Sequence, residues 1–174
     1  GDIHTHSQHS DGRLPIEQKL REVRDHRGLS FWASTDHGHD LTPERIERLN
    51  RVMDEACDDG RFAALCGWEW TSSMGRLRAW DRTYYGHRNV LLAHEVREVF
   101  DAVDPRSDTP RRLLTALQRS GQRFTIVTHF HCGDPQVFDD VERNCEISGW
   151  CGEFVRDGRS GDLPGGIDAL LQAG

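Results

Sequence analysis

Most short apolar runs in this chain end in a histidine or an acid, and that pattern constrains its fold more than any other feature. His4 and His6 close GDIH, Asp36 and His37 follow SFWAST at 30–35, and Glu69 lies near the end of FAALCGWEW at 62–70. His129 and His131 end the run FTIVTHF and its continuation, Glu146 lies in CEISGW, and His87 instead opens the run at 90–93. Between these runs the period changes to that of a helix. Ile16, Leu20 and Val23 share one face over 15–27, with Pro15 near the start and Gly28 as the stop. Thr42, Pro43 and Glu44 start a second helix carrying Ile46, Leu49, Met53 and Ala56. Thr109 and Pro110 start a third with Leu113, Leu114 and Leu117, ended by Gly121. Residues 71–86 follow neither period, and LPGGIDALLQAG begins a last helix. The alternation predicts one α/β domain over 1–174, with helices outside a mostly parallel sheet. In such folds functional groups gather at the carboxyl ends of strands, so residues distant in sequence converge on one rim. The absence of a strand after the last helix gives the expectation of a piece truncated at its C-terminus.

Composition removes several classes of function. The chain has 174 residues, too few for a second catalytic module. No apolar run approaches the ~18 residues of a membrane span. A net charge of −7 does not suit the phosphate backbone of nucleic acid. Lys19 is the only lysine and no glycine-rich loop carries a Gly-Lys pair, which excludes a P-loop. Five cysteines without a CxxC pair argue against a disulfide framework and fit a reducing, cytoplasmic setting.

Ten histidines, most of them in short clusters, ask for a metal. Two histidines at i and i+2 on an extended strand point to the same side and can reach one ion. Carboxylates such as Asp11 and Glu69 can hold or bridge a second ion while offsetting its charge. Nitrogen-rich sites with carboxylates suit zinc, manganese or iron rather than calcium. The bland reading of each residue differs. Asp11 before Gly12 also suits a turn, His87 after Gly86 a strand start, and the many arginines a solvated surface. Asp36 reads as a group orienting a ligand histidine rather than as a ligand. His26 and His94 lie outside the clusters, and Trp68, Trp70 and Trp150 read as core or pocket wall.

HTHSQHSDG at 4–12, STDHG at 34–38, GWE at 67–69 and a later strand-end histidine together resemble the PHP (polymerase and histidinol phosphatase) superfamily of metal-dependent phosphoesterases. GWEWTS, GHRNVLL and EISGWCGEF are similar to a PHP-like branch of unknown function, and the resemblance runs over essentially the whole chain. It implies a distorted (β/α)7 TIM-like barrel and two or three divalent ions (zinc, manganese or iron). The implied metal ligands are His4, His6, Asp11, His37, Glu69, His87 and His129, with Glu69 bridging. Two departures stand out. The closing DxH motif is absent, and THFH replaces the usual HPH or HH, which leaves His129 and His131 as alternatives for one ligand.

The expected activity is hydrolysis of a small phosphate ester by a metal-bound hydroxide. Arg76 and Arg88 are the foremost candidates to clamp the anionic substrate, beside Arg78 and Arg82. His131 or His39 are the candidates to protonate the leaving group. Two rivals remain. An amidohydrolase also opens with HxH, but commonly bridges its metals with a modified lysine on a later strand, and Lys19 lies on the first helix. A metal-binding domain without turnover is the other.

Overall fold

The protein's structure, a computed structural model, describes residues 1–58, 60–72, 85–129 and 145–146. Its α-helices are α1 (Ile16–Arg21), α2 (Pro43–Ala56) and α3 (Pro110–Ser120). Its strands are β1 (Phe31–Ser34), β2 (Ala63–Ser72), β3 (Gly86–Leu92), β4 (Phe124–His129) and the two-residue β5 (Cys145–Glu146). They form one sheet whose order follows the chain.

The sheet is mixed. β1 runs parallel to β2 and β4 to β5, whereas β3 is antiparallel to both neighbours. This overturns the (β/α)7 TIM-like barrel and the mostly parallel sheet expected above. A barrel of that kind needs parallel strands that close on themselves, and among the described residues the sheet is open. The cause is visible between β2 and β3. Parallel neighbours need a crossover connection, usually a helix, and residues 71–86 have no helical period. The chain instead reverses, pairing Ser72 with Gly86 and continuing without interruption to Cys66 with Leu92.

Other boundaries shift for local reasons. GDIH is not a laddered strand; Asp2 bridges Trp32, and Ala33 N–H and Thr35 N–H donate to the carbonyls of Asp2 and Thr5 (both 2.9 Å), so the segment lies along the edge of β1. The helix expected over 15–27 begins as α1 and widens into a π-helical turn over Glu22–His26, which keeps Val23 buried. The starts of α2 and α3 match their sequence signals: the Thr42 and Thr109 side chains accept from the backbone N–H three residues on, with proline in the first turn.

The two faces of the sheet have different chemistry. One carries Trp32, Trp68, Trp70, Val90 and Leu92 against Ile16, Leu20, Leu49, Met53, Leu113 and Leu117 of the helices, which is the main core. Each deep indole of β2 also has a polar outlet: Trp68 Nε1–H donates to the Phe100 carbonyl (3.1 Å) and Trp70 Nε1–H to that of Ser107 (2.8 Å). The opposite face holds a small cluster of Ala33, Leu91 and Val127. Towards the carboxyl end of β2 that same face turns polar, because Glu69, Thr71, His87 and Asn89 alternate with the tryptophans and pair across β2 and β3. No helix of the described residues is long and apolar enough to cross a membrane.

Candidate metal centre

Three segments bring their side chains to this polar end. In HTH the middle residue is the anchor. Thr5 is buried, its hydroxyl donates to the Ala33 carbonyl (2.8 Å) and accepts from Trp32 Nε1–H (2.7 Å). With Thr5 held towards the helical core, the period of two turns His4 and His6 to the other side. In STDHG the chain leaves β1 beside β2, where the Glu69 N–H donates to the Asp36 carbonyl (3.0 Å) and His37 bridges Glu69. The third segment is the β2–β3 pair itself. Because β3 is antiparallel, its first residues lie where its neighbours end, and His87 faces Thr71 of β2 and His129 of β4 in register.

The geometry centres on Glu69, whose side chain is 1% exposed. Its Oε2 lies 3.5 Å from His4 Nε2, 3.2 Å from His6 Nε2 and 3.2 Å from His37 Nδ1. Its Oε1 instead meets His87 Nδ1. His4 Nε2 and His6 Nε2 are 3.1 Å apart. Asp11, at the mouth of the cluster, places Oδ1 3.2 Å from His6 Nδ1 and Oδ2 3.6 Å from His37 Nε2. Burial by itself would raise the Glu69 carboxyl, but the imidazoles of His37, His4, His6 and His87 outweigh it and hold the group well below the usual carboxylate range. For His37 burial opposes the charge, yet Glu69, then Asp11 and Asp40, raise its pKa.

These donors suit a divalent cation. Two imidazole nitrogens 3.1 Å apart can share one hydrogen, and a cation that takes the lone pairs of both can replace that hydrogen. Ligands on one tetrahedral ion with bonds of ~2.0–2.1 Å stand about 3.3 Å apart. The separations among His4, His6 and Glu69 (3.1, 3.2 and 3.5 Å) match that edge. Two groups of convergent donors result, His4–His6–Glu69 and His6–Asp11–His37. The two oxygens of Glu69 face different imidazoles, an arrangement suited to a bridging carboxylate.

Of the residues singled out in the sequence, His4, His6, Asp11, His37, Glu69 and His87 come together here. His129 is placed by its register opposite His87 and Glu146. His39 stacks on His37 at 5.1 Å and reaches Asp40 Oδ2 at 3.4 Å. Arg88 does not join them: it pairs with Trp70 across β2 and β3, is fully buried on the helical face, and lies 5.4 Å from the Trp70 ring. His131, Arg76, Arg78 and Arg82 lie outside the described residues.

Sequence reasoning missed the hydroxyls that hold the cluster. Thr71 Oγ1 lies 2.8 Å from His37 Nδ1, and its signal was available: it is two residues from Glu69 on the same strand face. Ser7 and Ser10, between the histidines and Asp11, both bond to Asp36. His9 was also passed over. It is buried, its Nδ1 has no hydrogen-bond partner, and burial lowers its pKa against the charge of Asp36.

No family model matches the chain. Over 97% of its length the chain is similar, at 28% identity, to an uncharacterized protein of Chlamydia muridarum (strain MoPn / Nigg), of which it spans 27%. Over 55% of its length it is 32% identical to an uncharacterized protein of Chlamydia trachomatis serovar D, spanning 14% of that protein. The matched residues thus span about a quarter of the length of the first relative and about a seventh of the second.

Proposed function

We propose that the cluster around Glu69 holds two or three divalent ions, zinc, manganese or iron, and that the protein hydrolyses a small phosphate ester. The observation that carries this reading is a buried carboxylate whose two oxygens engage four histidines from three separate stretches of chain. His4, His6 and Glu69 are the residues to hold one ion, and His87 with Glu69, joined by His129, a second. Asp11 and His37 are the residues for a third. Ions so held supply Lewis acidity and lower the pKa of a bound water. The resemblance to the PHP superfamily supports a phosphate ester as the substrate class, with the activity borne by a mixed sheet that is open among the described residues.

The chain's own residues have the remaining tasks. Glu69 offsets the cationic charge in a site closed off from water on one side. Thr71 and Ser10 fix ring orientations from behind. His39, stacked on His37 at the mouth, is the described residue best placed to carry a proton to a leaving group. A cytoplasmic setting is part of the proposal, supported by Cys57 and Cys66 being free thiols.

The test is metal content of the purified chain together with hydrolysis of p-nitrophenyl phosphate before and after chelation. The expected result is at least one tightly bound transition ion per chain and hydrolysis abolished by chelator and restored by metal. Metal without turnover would favour a binding domain. A folded chain that takes up no metal would overturn the proposal.

A further inference from the structure

Arg45 stands in the first turn of α2, where the helix dipole favours acids and disfavours a cation. One turn on, Arg48 has an acid to face, in a bidentate pair with Glu17 (2.7 and 2.8 Å). Arg45 instead gives both hydrogens of Nη1 to the main chain, donating to the His9 carbonyl (2.7 Å) and to the Asp40 carbonyl (2.6 Å). Bonds from a guanidinium are shorter and stronger than neutral ones, and its rigid planar fork loses little freedom in making them. The two carbonyls belong to different turns. His9 lies in the turn that joins His6 to Asp11, which closes on itself through Gly12 N–H to the Ser7 carbonyl (2.9 Å). Asp40 ends the single 3-10 turn Gly38–Asp40 after His37, closed by Asp40 N–H to the His37 carbonyl (3.0 Å). Ser7 and Ser10 tie the first turn to Asp36, just before His37, and Arg45 ties it to Asp40, just beyond.

From these contacts we infer that Arg45 is a clamp that fixes Asp11 relative to His37, and so sets the affinity of the ion site at Asp11 and His37 while leaving the site of His4, His6 and Glu69 as it is. The two sites differ in how their ligands are anchored. His4 and His6 flank Thr5, which bonds to Trp32 and Ala33 of β1, and Glu69 lies on β2 in register with Asn89 of β3, so the sheet sets that spacing. Asp11 and His37 sit on the two turns that Arg45 joins, with Asp11 Oδ2 3.6 Å from His37 Nε2. The Asp11 side chain is 67% exposed, so its place depends on its turn rather than on packing. The consequence for ions rests on the metal-centre reading, but the clamp itself is a property of the metal-free chain. Arg45 is a positioning residue: a guanidinium has no lone pair to offer a metal.

The experiment compares the full chain with Arg45→Met, which keeps the stem and removes the donors, and Arg45→Lys, which keeps the charge without the fork. Amide hydrogen exchange of the metal-free chains comes first. Arg45→Met is expected to exchange at least about tenfold faster at both Gly12 and Asp40, the scale of a lost charge-assisted bond, with the amides of the sheet unchanged. Arg45→Lys should lie between the two. Zinc titration against a competing chelator follows, read at the imidazole signals of His37 and His4. In Arg45→Met the affinity read at His37 should fall about 10–100-fold, the usual cost of losing a group that orients a ligand, and that read at His4 should change by less than about twofold. Unchanged exchange at either turn, faster exchange throughout the sheet in both variants, an unchanged affinity at His37 or equal losses at both imidazoles would overturn the clamp. The expected exchange pattern with a wild-type chain that binds no zinc would instead overturn the metal centre and leave the clamp standing.

Discussion

At the scale of single residues, the site is governed by how one buried carboxylate and its imidazoles share charge. Without metal the two shifts act in opposite directions with pH. Glu69 lies well below its ordinary value of 4.5, so its stabilising effect is present above that value and is lost as pH falls through the lower, folded value. His37 lies above its ordinary 6.5, so its contribution is complete below 6.5 and is lost as pH rises through the folded value. The metal-free chain is therefore expected to lose stability as pH rises above about 6.5, read as a falling denaturation midpoint. A flat or rising midpoint would contradict the ion pairing described for His37. Away from the site, Cys66 is buried and its thiol is pushed up to about 12 by that burial, whereas Cys57 is exposed. At pH 8 only about one Cys66 in ten thousand is a thiolate. Iodoacetamide should label Cys57 and spare Cys66 in the native chain, as read peptide by peptide by mass spectrometry. Equal labelling would show that this part of the core opens readily.

At the scale of elements, the turn between His6 and Asp11 is the most sensitive to a small change. A Cβ on Gly12 would lie 2.2 Å from the His6 carbonyl oxygen and 2.7 Å from that of Ser7, both backbone atoms that cannot swing aside. Gly12→Ala is thus expected to push Asp11 and His6 apart, costing about 1–3 kcal/mol of stability and at least about tenfold in zinc affinity. Calorimetric zinc titration and thermal melting of the variant check both parts, and a variant with wild-type affinity would contradict the packing of this turn. Much of this scale was legible in the sequence. Thr42–Pro43 and Thr109–Pro110 act through local bonds, and Gly121 ends α3 with a φ of 70°, a conformation that glycine adopts without strain. The π-helical turn after Arg21 was not legible, because the same apolar spacing serves a regular helix and a helix with one wide turn.

At the scale of the whole molecule, the convergence of polar residues was readable and the architecture that achieves it was not. Glu69 and His37 could be assigned to strand ends from local pattern, whereas His4 lies on a segment that only bridges β1, and the direction of β3 depends on pairing between distant residues. His87 held the clue. A ligand candidate that opens its strand, while the others close theirs, reaches the same end only if its strand runs the other way. The sheet is mixed and open among the described residues, yet it delivers the donors to one end as a parallel barrel would, which is why the motif pattern and the fold came apart.

The central claim is that this end of the sheet is a metal centre organised by Glu69. Calorimetric titration of zinc into the chelator-treated full chain at neutral pH, beside Glu69→Gln, tests it most directly. Wild type is expected to bind zinc saturably, more weakly in acid as protons compete for the imidazoles, and Glu69→Gln to lose more than the ~100-fold typical of a merely orienting residue. A folded wild-type chain that takes up no zinc, or a Glu69→Gln chain that binds it as well as wild type, would contradict it.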